Sequence, residues 1–314
     1  MRITKYAQYN TTTVAQFKAW GQGISTAMAA LGYVQTADTG QVNWNTMVAV
    51  PSVVVFDLWQ SNDGLTSYVV KWSYSAGGGV AGGAPGLSVQ VGRSSDGSGT
   101  LVNATSSFNL TSGGSIAQEG GTTLYPLFFS GPGNGAGFVA MIWSGSGFPS
   151  LACVERSISG TVTASPVYNN QYVTLVIGGA ASGVGTNGFA NQVSLFLTGA
   201  QILGTNMTNI CTLGSAGMLG GTSSIYQGLA VAGQALLLPI FPLVGWCGNP
   251  LSLLACLQGV DGGPAQVDRM PSIPMQFGFY GQTRTFLFCT GGLWAHGFNP
   301  QIPGAESRPI MRWE

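Results

Sequence analysis

VVVFDLWQSNDGLTSYVVKWSYS, residues 53 to 75, consists of two apolar runs split by a turn cluster. The first run, Val53, Val54, Val55, Phe56, Leu58 and Trp59, is rich in the β-branched and aromatic side chains that pack well on a pleated surface. Ser61-Asn62-Asp63-Gly64 then supplies residues that bond their own backbone or accept positive φ. Beyond the turn, Tyr68, Val70, Trp72 and Tyr74 alternate with a more polar set that includes Lys71, Ser73 and Ser75. A period of two puts the aromatics on one face of a strand. The stretch predicts an antiparallel pair.

The same pattern continues downstream. Leu87 to Val91, Leu124 to Phe129, Phe138 to Trp143, Leu151 to Val154 and Tyr172 to Ile177 read as further strands. Between them lie a bland Gly/Ala loop from Ala76 to Gly86, a turn from Arg93 to Gly99, and a Gly-rich connection, Gly131-Pro132-Gly133-Asn134-Gly135. Short strands at regular intervals with Gly-rich turns point to a sandwich or barrel. Upstream, residues 11 to 31 predict the one convincing helix. Thr13 and Gln16 have capping-box spacing, Val14, Phe17, Gly21, Ile24, Met28 and Leu31 recur at steps of three and four, and Gly32 is the stop. Trp20 widens its apolar face, which either lies on the chain's own sheet or docks on a neighbouring subunit.

These readings give an all-β fold, β-sandwich or jelly-roll-like with Gly-rich turns, carrying one N-terminal amphipathic helix. Residues 1–50 form the helix and an anchoring segment and 51–165 a β-sandwich. Residues 166–314 form a second, nearly uncharged β-rich part, which need not be separate from the first.

Charged residues are 6% of the chain and the formal net charge is zero, against about 25% charged in ordinary soluble domains. A surface so poor in charge has little to keep copies apart, so association is expected. From Ser157 to Val260 there is no Asp, Glu, Lys or Arg. That segment has nothing for proton transfer, carboxylate metal binding or phosphate capture. The ten Lys and Arg are not clustered, which argues against a nucleic-acid partner. Five cysteines without C-x-x-C spacing indicate neither a zinc site nor a closed disulfide set, and read as buried thiols.

Leu229 to Cys247, LAVAGQALLLPIFPLVGWC, is apolar enough to be taken for a membrane span. Pro239 and Pro242 oppose a helix there, and no Lys or Arg flanks it. It reads as a buried or interface strand pair, with Leu237, Ile240 and Phe241 as candidate contact residues. Phe17, Trp20, Ile24, Met28 and Leu31 of the helix are the other candidate interface.

No set of residues reads as catalytic, cofactor-binding or metal-ligating, and the expectation is a protein without enzymatic activity. His296, the one histidine, lies beside aromatics and in no nucleophile motif. Asp38, Asp57, Asp63, Asp96 and Glu119 are carboxylates that a fold could in principle bring together for glycoside hydrolysis. Asp63 and Asp96, however, sit beside Gly in turns, where Asp caps its own backbone. Glu155 and Arg156 are neighbours and point to opposite faces of a strand.

Several segments taken together carry a resemblance. They are Phe17 to Ile24 (FKAWGQGI), Thr36 to Trp44 (TADTGQVNW), Val55 to Asp63 (VFDLWQSND), Val91 to Gly99 (VGRSSDGSG), Cys153 to Arg156 (CVER) and the closing Met311 to Glu314 (MRWE). As a set they resemble virion structural proteins encoded among the tail and neck genes of tailed bacteriophages. Tyr68 to Ser75 keeps the expected lysine and aromatics, whereas the Gly/Ala loop after it is unusually bland. The resemblance implies a non-enzymatic subunit in the virion, assembled in the bacterial host cytoplasm. Its expected partners are copies of itself and other virion proteins. Within that class the tail, neck or fibre-attachment region leads and a capsid decoration protein follows. The rival is a tail protein that binds a host-surface glycan by stacking on aromatics such as Trp143 or Trp294.

Overall fold

The computed structural model describes residues 2–8, 13–65, 67–76, 86–105, 107–110, 124–142 and 150–158, and then strand segments 171–178, 192–197, 210–212, 236–242, 253–259, 272–277, 282–288 and 306–312. The first half runs β1 (Arg2–Gln8), α1 (Val14–Ala30), β2 (Val34–Gln35), β3 (Val55–Gln60), β4 (Val69–Ser75), β5 (Gly86–Ser95), β6 (Leu101–Ala104), β7 (Phe108–Asn109), β8 (Leu124–Ser130), β9 (Gly137–Ile142) and β10 (Ser150–Ile158). The second runs β11 (Gln171–Gly178), β12 (Gln192–Leu197), β13 (Ile210–Thr212), β14 (Leu236–Pro242), β15 (Leu254–Gly259), β16 (Ser272–Phe277), β17 (Gln282–Phe288) and β18 (Glu306–Arg312). Among the described residues the fold is mostly strands in antiparallel sheets, with one helix.

The strands form three sheets, ordered β2-β3-β4-β5-β6, β1-β8-β9-β10-β11-β12 and β13-β14-β15-β18-β17-β16, with β7 also on β5. The predicted pair is the β3/β4 hairpin, in the register Val55↔Tyr74, Asp57↔Trp72 and Trp59↔Val70. Its turn uses Gly64 at φ +78°. Asp63 Oδ1 accepts from the Leu65 N–H at 3.3 Å. The apolar run starts later than its composition suggests, since Val53 and Val54 precede β3. The turn read as Arg93 to Gly99 is also shorter, because β5 runs on to Ser95 and pairs there with Leu101 of β6. Asp96 Oδ1 then accepts from the N–H groups of Ser98 and Thr100 and closes the turn.

The helix starts and stops where its sequence signals lie. Thr13 is the N-cap and accepts from the Gln16 N–H at 3.3 Å, one of the donors that a helix start leaves unsatisfied. The reciprocal half of the capping box is absent, for the buried Gln16 Oε1 has no partner among the described residues. At the other end Gly32 takes φ +89°. There the connection 131–136, which joins β8 to β9, adds a cap from outside: the Gly135 N–H donates to the Leu31 carbonyl at 2.8 Å.

One buried cluster gathers residues from the helix, from β3 to β5 and from β8 to β10. The inward face of β4 spans it. Tyr74 meets Trp20 and Trp44 edge-on, with ring centroids 5.6 Å and 5.0 Å away. Trp72 packs on Phe129 and Phe138 of the neighbouring sheet, and Tyr68 and Tyr33 pair beside Phe138. Gly21 is required in α1 because a Cβ there would fall 2.0 Å from the Trp44 ring. Segments 1–50 and 51–165 thus share one core. They are tied again by β1, a strand that the sequence reading did not foresee, which pairs with β8 from Arg2↔Ser130 to Gln8↔Leu124.

Candidate functional site

The helix face considered for subunit contact is not at the surface. Phe17, Ile24, Met28 and Leu31 are 0% exposed and Trp20 2%. All five serve the chain's own core, because the aromatic side chains of β4 and the 36–44 segment need a cover. The second candidate set, Leu237, Ile240 and Phe241, lies on β14 between β13 and β15; the surroundings of those side chains lie outside the described residues. The ladder to β15 ends at Pro239 and that to β13 runs from Ile240 to Pro242, so both prolines of the strand, which lack an N–H, stand at the end of a ladder. No described helix is long and apolar enough to cross a membrane.

Two polar knots lie in the unit formed by residues 13–110. In the first, Asp57 of β3 is completely buried. Ser25 Oγ of α1 donates to its Oδ2 at 2.7 Å, and Tyr74 Oη of β4 donates to the same carboxylate at 3.1 and 3.2 Å. Trp44 Nε1 in turn donates to Ser25 Oγ at 3.0 Å. Burial pushes the Asp57 carboxyl up to about 6, and the hydroxyls of Ser25 and Tyr74 only partly offset it. Trp59 also favours the charged form, although its Nε1 reaches no described acceptor at hydrogen-bond geometry. Burial and the adjacent Asp57 charge hold the Tyr74 hydroxyl well above its ordinary range. The knot fastens helix to sheet. Sealed under aromatics, its carboxylate is placed to hold hydroxyl groups of the chain rather than to meet a substrate.

The second knot binds the 36–44 segment to the β5/β6 turn. Asp38 accepts from Ser95 Oγ at 2.8 Å and from the Gly99 N–H at 3.2 Å, while the Thr39 N–H donates to the Gly97 carbonyl. Partial burial pushes Asp38 up, but bonds from Thr36, Ser95 and the Gly99 and Gly97 backbone outweigh it and hold the carboxyl below its ordinary value. Lys71 Nζ donates to the Gly99 carbonyl at 2.7 Å and stands 4.3 Å from the centre of the Phe56 ring. Burial lowers the Lys71 pKa, with the Asp96 charge opposing it. Bonds from the Ser98 backbone and hydroxyl and from Thr100 bring Asp96 down to about 2. Gln41 completes the brace: its Oε1 accepts from the Leu58 N–H and its Nε2 donates to the Thr36 carbonyl.

The described carboxylates considered for hydrolysis are each committed to bonds within the chain. Asp57 lies in the core, Asp38 and Asp96 hold one turn, and Asp63 holds another. Glu119 lies outside the described residues, as do Trp143, Trp294 and His296. Buried Glu155 accepts from the Leu253 N–H at 3.0 Å, joining β10 to the residue before β15. Cys153 is buried in the same strand. No group of three or more His, Cys, Asp or Glu suited to a metal ion occurs among the described residues.

Four of the six segments behind the phage resemblance prove to be neighbours. The helix around Trp20, the 36–44 segment, β3 and the β5/β6 turn are joined by the two knots. Comparison of the chain with family models, with curated proteins and with solved structures finds no match in any of the three.

Proposed function

We propose that the chain is a non-enzymatic structural subunit of a tailed-bacteriophage virion, placed in the tail, neck or fibre-attachment region. The observation that carries this reading is the use made of the polar residues in and beside the resembling segments. Ser25, Asp38, Gln41, Asp57, Lys71, Ser95 and Asp96 are committed to bonds within the chain, which is how a rigid building block uses polarity. The two sheets that meet at Trp72 and Phe138 are, on this reading, the layers of a β-sandwich. Assembly draws on apolar surface, at about 25 cal/mol for each Å² buried, and needs no energy source.

The test is to purify particles from cells infected by the phage that encodes the chain and to label them with antibody under the electron microscope. Label at the tail, neck or fibre base, with a fixed copy number by quantitative mass spectrometry, is expected. Absence of the chain from particles would overturn the proposal. Uniform label on the capsid shell would transfer it to a decoration role. Release of reducing sugar from host glycans by the pure chain would refute the non-enzymatic part.

A further inference from the structure

Between Trp44 and β3 the chain runs Met47-Val48-Ala49-Val50-Pro51-Ser52-Val53-Val54; Met47 packs against the core, whereas three of the valines point outward. Val48 is 89% exposed, Val53 68% and Val54 61%. No backbone hydrogen bond to another described residue is formed from Val48 to Val54. The stretch from Thr39 to Phe56 has no charged residue. A lone exposed valine needs no explanation, but three such valines within seven residues, on backbone without partners, form a surface with both ingredients of strand addition.

We propose that residues 47–54 are a contact by which one copy of this chain docks on a second copy, adding as a strand at the border of its β2–β6 sheet. The other half of such a contact is present on the same chain. That sheet ends in β2 and β6, which carry the exposed Val34 and Val102. Donor and acceptor thus both carry exposed valines, both are uncharged at the contact and both belong to a chain of zero net charge, so a second copy supplies what the segment lacks. Pro51 has no N–H, which restricts the pairing to the register that turns its nitrogen away from the acceptor strand. A contact between two different patches is head-to-tail, and it builds rings or filaments instead of stopping at a pair. This deepens the structural reading but fails separately from it, because it is tested on the isolated chain while the virion role is tested on particles.

The experiment is sedimentation equilibrium of the full chain beside the variant Val48→Asp/Val53→Asp/Val54→Asp. Photo-crosslinking from a benzophenone side chain at position 53 accompanies it. Concentration-dependent association of the native chain is expected, with crosslinked bands at multiples of its mass. The triple variant should weaken association at least about tenfold, since carboxylates in an apolar contact lose their water. Its melting temperature should stay unchanged, because those side chains support no core. The milder Val48→Thr/Val53→Thr keeps shape and β-branching and should weaken association to a smaller degree. A native chain that stays monomeric, a triple variant that associates like the native chain, or crosslinks that never join two copies would each overturn the proposal.

Discussion

Replacing Asp57 by Asn should remove a pH dependence that the native chain carries through this buried carboxylate. In the unfolded chain this group titrates near 3.8, and in the folded chain near about 6. A raised folded pKa means that the folded state holds the proton more tightly. The stabilisation is therefore full below the unfolded value and is lost as pH rises through the folded one. At about 1.4 kcal/mol for each pH unit between the two values, the loss is about 3 kcal/mol. Asp38 and Asp96, whose pKa values are lowered, act in the opposite sense and below that window, so the acid side of the profile should be the same in both proteins. Urea unfolding followed by tryptophan fluorescence from pH 4 to pH 7 reads the difference directly, since Trp44 and Trp59 adjoin the carboxylate. The native chain should lose about 2 to 3 kcal/mol across this range relative to Asp57→Asn. Tyr74→Phe, which removes a donor to the ionised form, should steepen the native loss. A flat difference between native and Asn variant from pH 4 to pH 7 would refute the sealed carboxylate, and a difference of opposite sign would require a cation beside it.

Three further outcomes test the packing. Phe17→Ala with Ile24→Ala should lower the melting temperature of the isolated chain sharply, each truncation costing about 2 to 5 kcal/mol because both side chains are fully buried; a double variant that melts normally would mean the helix covers no core. Gly21→Ala places a methyl 2.0 Å from the Trp44 ring and should cost about 1 to 3 kcal/mol by overpacking, with Trp44→Leu in the same chain recovering part of it in a thermal melt. Gly99→Ala combines φ +93° with a clash on Phe56 and should speed amide exchange at Thr100, whereas Gly64→Ala, at positive φ in open space, should cost only about 1 kcal/mol and leave that exchange alone.

The parts of this fold legible in the sequence are those whose causes are local. Thr13 and Gly32 mark the helix because cap chemistry acts within one turn, and the β3/β4 hairpin is visible because Tyr68, Val70, Trp72 and Tyr74 alternate around a turn that needs Gly64. What escaped depends on partners distant in sequence. Arg2-Ile3-Thr4-Lys5-Tyr6-Ala7-Gln8 has no apolar run of its own, and it is a strand because β8 offers an edge. The helix face could equally have met a neighbour, and only the aromatic side chains of β4 and Trp44 decide that it is core.

Asp57 shows how far register would have carried the reading. Composition alone leaves it one carboxylate among five that a fold could bring together. Yet once the hairpin is aligned with Val55 opposite Tyr74 and Trp59 opposite Val70, Asp57 must stand opposite Trp72 on the face that bears the aromatics. A charge on that face either disrupts the sheet or finds hydroxyl groups to hold it. Tyr74, two residues along the partner strand, is a donor within reach, and Ser25 lies one residue beyond Ile24 on the helix that covers the same face. The buried knot was therefore implicit in the strand pairing, and what the alternation alone withheld was the register.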